Sequence, residues 1–158
     1  MRNLLFIISF LIALHTTSYA NNATMQTIRT LCAQAQLKSD KASEFYNYMN
    51  TITINTPLLK GYKAMSCIML CKHTANVFSK LSHFNKGKTL LEQAINQEPN
   101  NMELIFFRYI TQRKAPMVLN YSNNKVADKQ KLSAYLKQRE LANDTQSTLY
   151  KTIHTHIN

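Results

Sequence analysis

Apolar residues recur every three or four positions along most of the chain, which predicts a series of amphipathic α-helices. One stripe precedes Pro99, and it contains Phe84, Leu91, Ala94 and Ile95. Because proline cannot donate a backbone hydrogen bond to the preceding turn, Pro99 ends this helix. A second stripe follows at once, with Met102, Ile105, Phe106, Tyr109 and Ile110. The short connection predicts an antiparallel helical hairpin.

Polar residues between the stripes predict where the helices begin and end. Asn100 is a predicted N-cap with Glu103 as its capping-box carboxylate. Thr56 and Pro57 start a helix that ends near His73. The same reasoning predicts a connector at 73–79 and an apolar loop at 117–122 that tucks under the helices. The other predicted helices cover 22–37, 41–54, 80–97, 101–113 and 123–141, the last with Val126, Leu132, Tyr135 and Leu136 turned inward.

The composition supports an all-α fold. Two glycines and three prolines in 158 residues are too few for the many turns of a sandwich or barrel. Residues 1–20 combine Arg2, the apolar run Leu4–Leu14 and a small-residue cleavage site ending at Ala20, so we predict a signal peptide rather than an uncleaved anchor. We therefore expect residues 21–158 to form one helical domain with a frayed C-terminal tail, exported to the periplasm or the extracellular space and without a transmembrane segment.

The chain is basic, with a formal net charge of +11. An excess of cations concentrates anionic partners near a protein, and export makes nucleic acid an unexpected one. The C-terminal half is the most basic part, opposed only by Asp128 and Glu140 over 108–140. This region is either a solvated face or a surface that docks on envelope polyanions. Its cations are Arg108, Arg113, Lys114, Lys125, Lys129, Lys131, Lys137 and Arg139.

Three cysteines, Cys32, Cys67 and Cys71, do not make a disulfide framework. Cys67 and Cys71 lie one helical turn apart, where a bridge would distort the helix. Pairing of Cys32 with either one stays open, and we expect all three to be buried as small apolar residues. The 67–73 region is also the one candidate for a metal-binding or thiol site, through its two cysteines and His73. It lacks the second ligand pair of a zinc site and the spacing of a haem attachment motif.

No catalytic motif was found in the sequence. It has no glycine-rich phosphate loop, nucleophile elbow or His-Glu-x-x-His helix. The few carboxylates do not form a convincing acid–base pair. We therefore predict a protein that is not an enzyme and has no cofactor.

The hairpin resembles the tetratricopeptide repeat. Gly87, Leu91 and Pro99 fit the repeat's small, large and proline positions, with Ala94 as the further small residue. Counting backwards places Ala75 on the small position of the first helix and Phe78 on its aromatic position. The resemblance implies antiparallel hairpins stacked as a short array.

A more specific resemblance runs from Gly61 to Leu132. The chain is similar there to small exported, tetratricopeptide-like proteins of Bacteroidetes-type bacteria that have no assigned activity, so the resemblance offers no catalytic residues. It is carried by Gly61-Tyr62-Lys63-Ala64, Lys72-His73-Thr74, Ser79-Lys80-Leu81, Phe84-Asn85-Lys86-Gly87-Lys88, Pro99-Asn100-Asn101-Met102-Glu103-Leu104 and Phe107-Arg108-Tyr109.

These observations together predict an envelope adaptor whose helix pairs offer a groove to a protein or peptide partner. We expect the groove to be lined by residues that the core does not need. The candidates are Tyr62, Lys63, His73, Arg108 and Tyr121.

Overall fold

The computed structural model describes residues 24–157, so the predicted signal peptide at 1–20 lies outside the described residues. Seven α-helices and one short 3-10 turn account for 79% of the described residues, and no strand occurs among them. The predicted all-α class is confirmed. The elements are α1 (24–35), α2 (Ser39–Thr51), α3 (Pro57–His73), α4 (Val77–Gln97), α5 (Met102–Lys114), the 3-10 turn (Met117–Leu119), α6 (Lys125–Leu141) and α7 (Thr148–Ile157).

Helix α3 lies at the centre, packed against α2, α4 and α5. Tyr62, Ala64, Met65 and Cys67 are all buried, because this helix has neighbours on more than one side. Gly87 of α4 lies against α3 so closely that a Cβ there would be 2.9 Å from the carbonyl oxygen of Ala64 and 2.7 Å from Ile68. Gly61 of α3 also lies close to a neighbouring helix, against the end of the Leu104 side chain. Gly87 therefore allows α4 to approach the α3 backbone more closely than a side chain would permit.

The connector between α3 and α4 is shorter than the predicted 73–79. Helix α4 begins at Val77, because the Asn76 side chain accepts a hydrogen bond of 3.0 Å from the Ser79 amide and caps the helix. Ala75 therefore lies in the connector, not in a helix. Phe78 lies in the first turn of α4 and is exposed, so it does not pack as the aromatic residue of a preceding helix.

The caps confirm one prediction and correct another. Thr56 accepts a hydrogen bond from the Leu59 amide, as expected for the N-cap of α3. The N-cap of α5 is Asn101, not the predicted Asn100. Its side chain accepts hydrogen bonds from two amides of the first turn. The Glu103 carboxylate does not close a capping box, because it is bound by groups from other helices.

The C-terminal region contains helix α7, whose Ile153 is fully buried. That this tail frays stays a prediction. The 117–122 segment is not tucked under the helices along its whole length, since Met117 and Val118 are exposed and only Tyr121 is buried. Val126, predicted to point inward, is also exposed, because the α6 face that packs on the core passes through Asp128, Leu132 and Leu136.

Candidate functional site

An apolar cavity of about 620 Å³ opens between α3, α4 and the segment that follows α5. Its walls are made of aliphatic, thioether and aromatic groups. We call it the apolar groove. Its non-charged lining residues are Gln36, Met65, Ile68, Met69, Cys71, Val77, Leu81, Phe84, Ile110, Thr111, Ala115, Pro116, Val118 and Leu119.

Large exposed apolar side chains line this groove or are adjacent in sequence to residues that line it. Val77 and Phe78 in the first turn of α4 are 72% and 84% exposed, and Met117 and Val118 in the 3-10 turn are 96% and 88% exposed. Together with Leu81 they form what we call the apolar rim. They account for five of the eight large hydrophobic residues that are exposed among the described residues. Exposed apolar groups concentrated at one place are typical of a binding surface.

The only charged groups that line the groove are the amines of Lys72, Lys80 and Lys114. Lys72 donates a hydrogen bond of 2.5 Å to the carbonyl oxygen of Gln36. Neither Lys80 nor Lys114 forms an ion pair within the described part of the chain. The groove is therefore an apolar slot with a positive edge.

Six of the eight carboxylates of the chain bind other residues and do not balance these lysines. Three of the eight, Glu92, Glu103 and Asp128, accept hydrogen bonds from buried or partly buried arginines and tyrosines. Three more are bound at the surface of other helices, to Lys41, Arg139 and Tyr150. Most of the acids are thus engaged by other residues, and Lys80 and Lys114 have no carboxylate partner in the described part of the chain.

The first internal network joins α1, α3 and α5 around Glu103. Arg29 donates two hydrogen bonds to this carboxylate, at 2.9 and 3.2 Å, and the Tyr62 hydroxyl donates a third. Burial, followed by the charge of Glu103 and the hydrogen bond to it, raises the pKa of Tyr62 above its ordinary value. Tyr62 therefore stays protonated and acts as a fixed donor that ties α3 to α5.

The second network joins α4, α5 and α6 around Arg108. Its guanidinium donates to both oxygens of Asp128, at 2.7 and 2.8 Å, and to Glu92 at 3.0 Å. The hydrogen bond to Asp128 is the largest cause that raises the pKa of Arg108. Tyr121 donates to the other Glu92 oxygen at 2.5 Å, and burial is the main cause that raises its pKa. This network adds a charged attachment of α6 to the core, beside the buried apolar residues Leu132 and Leu136 of the same helix.

None of the five residues predicted to line a partner groove lines the apolar groove. The expectation that the core does not need them is wrong for Tyr62, Arg108 and Tyr121, because the two networks bury them. Lys63 is half-buried, bonds to Asn50 of α2 and lies 5.1 Å from the centre of the Tyr46 ring.

His73 is also half-buried and shares a 3.2 Å hydrogen bond with the carbonyl oxygen of Ala35. For Lys63 and His73 a role in partner binding stays a prediction. The residues that line the groove were not predicted as a site. One feature of the sequence could have indicated it: Val77 and Val118, and their neighbours Phe78 and Met117, are large apolar residues in segments that no amphipathic stripe accounts for.

The three cysteines are free thiols, two buried and Cys71 partly exposed in the groove wall. Burial raises the pKa of Cys32 to about 12 and raises the pKa values of Cys67 and Cys71, although nearby lysines act in the opposite direction on the latter two. A protonated thiol is a poor nucleophile and a poor metal ligand. Within 24–157, no group of three or more His, Cys, Asp or Glu side chains is arranged to hold a metal ion.

No protein-family model, curated protein or solved structure matches the chain. Among the helices at 24–157, none combines the length and hydrophobicity needed to cross a bilayer.

Proposed function

We propose that this protein is a non-enzymatic binding scaffold that holds an amphipathic helix of a partner protein in the apolar groove. The observation that carries the proposal is the apolar rim, at a groove whose only charges are lysines. The predicted export places this activity in the cell envelope or outside the cell. Stacking of the helix pairs as a short tetratricopeptide-like array is part of the proposal, and the close approach at Gly87 supports it.

A helix suits the groove better than an extended peptide does. An extended peptide needs backbone hydrogen-bond partners along its length, and the groove walls are nearly all carbon and sulfur. A helix satisfies its own backbone groups and presents only an apolar face. Met65 and Met69 add walls that adapt to different side chains, because the thioether side chain is flexible and polarizable.

The lysines specify the flanks of that helix. Lys72, Lys80 and Lys114 lie on three different elements around the slot, and no carboxylate shares it with them. Acidic residues beside the apolar face of the partner would meet these amines, whereas basic residues would be repelled. We therefore infer a partner helix with an apolar face and acidic flanks.

The test uses a short stapled helical peptide with a leucine stripe flanked by glutamates, and a control peptide with lysines in place of the glutamates. Two readouts apply to the mature protein: fluorescence anisotropy of the labelled peptide, and the rate at which maleimide modifies Cys71 in the groove wall. We expect the acidic peptide to bind and to slow modification of Cys71. We expect the basic peptide to do neither.

The matched variants separate the rim from general hydrophobicity. Phe78→Ser with Val118→Ser removes two exposed rim residues, and we expect at least about tenfold weaker peptide binding because anchoring residues dominate such interfaces. Leu141→Ser removes an equally exposed residue, 79% exposed on α6, and should leave binding unchanged. Equal losses in both variants would contradict the proposal. Protection of Cys71 by palmitate but not by the acidic peptide would replace it with binding of an acyl chain.

A further inference from the structure

A second hollow, of about 540 Å³, lies between α5 and the first half of α6, apart from the apolar groove. Three cationic side chains, Arg113, Lys125 and Lys129, line it, and no carboxylate does. The other lining residues are Tyr109, Val126, Gln130 and Ser133. The fold has therefore gathered positive charge and neutral hydrogen-bonding groups at one concave place.

The geometry of two helices explains why these cations converge. Lys125, Lys129 and Ser133 are spaced four residues apart, so they share one face of α6. Arg113 is one turn after Tyr109 on α5, and the Arg108–Asp128 ion pair holds the two helices together. Two lysines four residues apart on a helix repel each other, and an anion between them would remove this cost.

Asp128 is the acidic residue of α6 nearest in sequence to Lys125 and Lys129. It lies next to Lys129 in sequence and in the first turn of α6. Its carboxylate instead points into the protein, where it is 1% exposed and bound by Arg108 through two hydrogen bonds. The three cations of the hollow are thus left without an acidic neighbour among its lining residues.

Arg113 is held in position without being neutralised. Its Nη1 donates a hydrogen bond of 2.8 Å to the carbonyl oxygen of His156, and its guanidinium lies 5.7 Å from the centre of the Tyr109 ring. These contacts fix the plane of the group and engage one of its five N–H donors. The remaining donors are available to an oxyanion, which planar guanidinium groups bind in a bidentate way.

We propose that this hollow, which we call the phosphate hollow, binds a ligand that carries phosphate groups with at least two negative charges. Three cations match a diphosphate or a phosphate monoester better than a carboxylate of single charge, and Ser133 and Gln130 can donate hydrogen bonds to further oxygens. The ligand is either a free phosphate compound or the headgroup of a lipid, since both present the same oxyanions.

The experiment compares two double variants with equal loss of charge. Lys125→Gln with Lys129→Gln removes the α6 cations of the hollow. Lys131→Gln with Lys137→Gln removes two exposed lysines of the same helix that do not line it. All four positions are exposed, so both variants should fold, and circular dichroism checks this. The probes are inorganic diphosphate by calorimetry, and co-sedimentation with phosphatidylcholine vesicles with or without phosphatidic acid.

We expect binding that the first variant weakens at least tenfold and the second less than twofold. Diphosphate binding would identify a free phosphate ligand, and binding only to phosphatidic acid vesicles would identify a headgroup. Either result supports the proposal when the two variants differ in this way. Equal losses in both variants would overturn it in favour of general charge attraction, and so would failure of both probes to bind the intact protein. Neither outcome bears on the peptide experiment, because the apolar groove shares no residue with the phosphate hollow.

Discussion

Two helix pairs in this protein differ in the contact that joins them: one has a close backbone approach and the other a buried ion pair. Helices α3 and α4 are joined by three residues and approach closely where Gly87 lies against Ala64 and Cys67. Helices α5 and α6 are joined by ten residues, 115–124, and are tied together by Arg108 and Asp128. The first contact depends on the absence of a side chain, and the second depends on a buried pair of charges.

The difference shows which contacts tolerate change. Dispersion at the α3–α4 contact is spread over many atoms, so the loss of a single side chain there removes only a part of the attraction. Leu132 and Leu136 of α6 are also buried in the core, but Arg108 and Asp128 link α5 to α6 through two hydrogen bonds of 2.7 and 2.8 Å, and loss of one partner leaves a buried charge unpaired. The second contact is therefore the more vulnerable to a single substitution.

The largest expected effect is at Asp128. Asp128→Ala should lower the free energy of unfolding by about 3–5 kcal/mol, because it removes both oxygens that bind the Nε and Nη2 atoms of Arg108. Urea unfolding followed by circular dichroism measures the change. The double variant Arg108→Met with Asp128→Leu should lose less than Asp128→Ala alone. A larger loss in the double variant would show that the two charges are not coupled.

The next effect is at Gly87. Gly87→Ala should destabilise the protein by about 1–3 kcal/mol, since the new methyl group would meet the backbone of Ala64, which cannot rotate away. Gly61→Ala is the matched control. Its methyl group would meet the end of the Leu104 side chain, which can move, and alanine favours the helix by about 1 kcal/mol. Equal losses at both glycines in thermal unfolding would contradict the role given to the α3–α4 backbone contact.

A third test uses pH to examine Tyr121, which belongs to the network around Arg108. The pKa of Tyr121 is raised in the folded protein, mainly by burial and then by its hydrogen bond to Glu92. Above about pH 10 the unfolded chain releases this proton and the folded chain keeps it, so stability falls as pH rises, by up to ~1.4 kcal/mol per pH unit for one tyrosine. Tyr121→Phe should reduce this slope. Urea unfolding between about pH 9 and 11, a range that brackets the ordinary tyrosine pKa, measures the change.

The control is the same pair of proteins measured at about pH 7, where neither the folded nor the unfolded chain releases a tyrosine proton. An identical slope for the intact protein and Tyr121→Phe would show that Tyr121 ionises as readily in the folded chain as in the unfolded one.

The smallest effect is at the turn that connects the two pairs. Asn101→Ala should cost about 1 kcal/mol, because the Asn101 side chain accepts hydrogen bonds from the amides of Glu103 and Leu104. Asn100→Ala should change stability by less than about 0.5 kcal/mol, as expected of an exposed residue that caps nothing. The opposite order in thermal unfolding would restore Asn100 as the N-cap.

Prediction from sequence succeeded where the signal was local. The start of α3 follows from Thr56 and Pro57, and its end was expected near His73. The structure confirms both bounds. The start of α4 was predicted too late, because Asn76 was placed inside the connector and was not recognised as the N-cap. Met117 and Val118 were predicted to be covered, but both are exposed. The sequence does not show which element, if any, packs over them.

The site was harder to predict than the fold because its residues come from distant parts of the chain. Lys72, Lys80 and Lys114 lie in three helices and become the edge of one groove only when α3, α4 and α5 pack. Arg108 and Tyr121 are residue types that often lie at the surface. Here they are buried, with hydrogen bonds to Glu92 and Asp128 that satisfy their polar groups.

The sequence by itself determined that this chain is helical, since the spacing of apolar residues and the scarcity of glycine and proline act within single turns. It also determined the excess of positive charge. Only the tertiary structure decided which charges pair in the interior and which remain outside, and which apolar residues stay exposed. Those outcomes depend on distances between residues far apart in sequence, which exist only after the helices have packed.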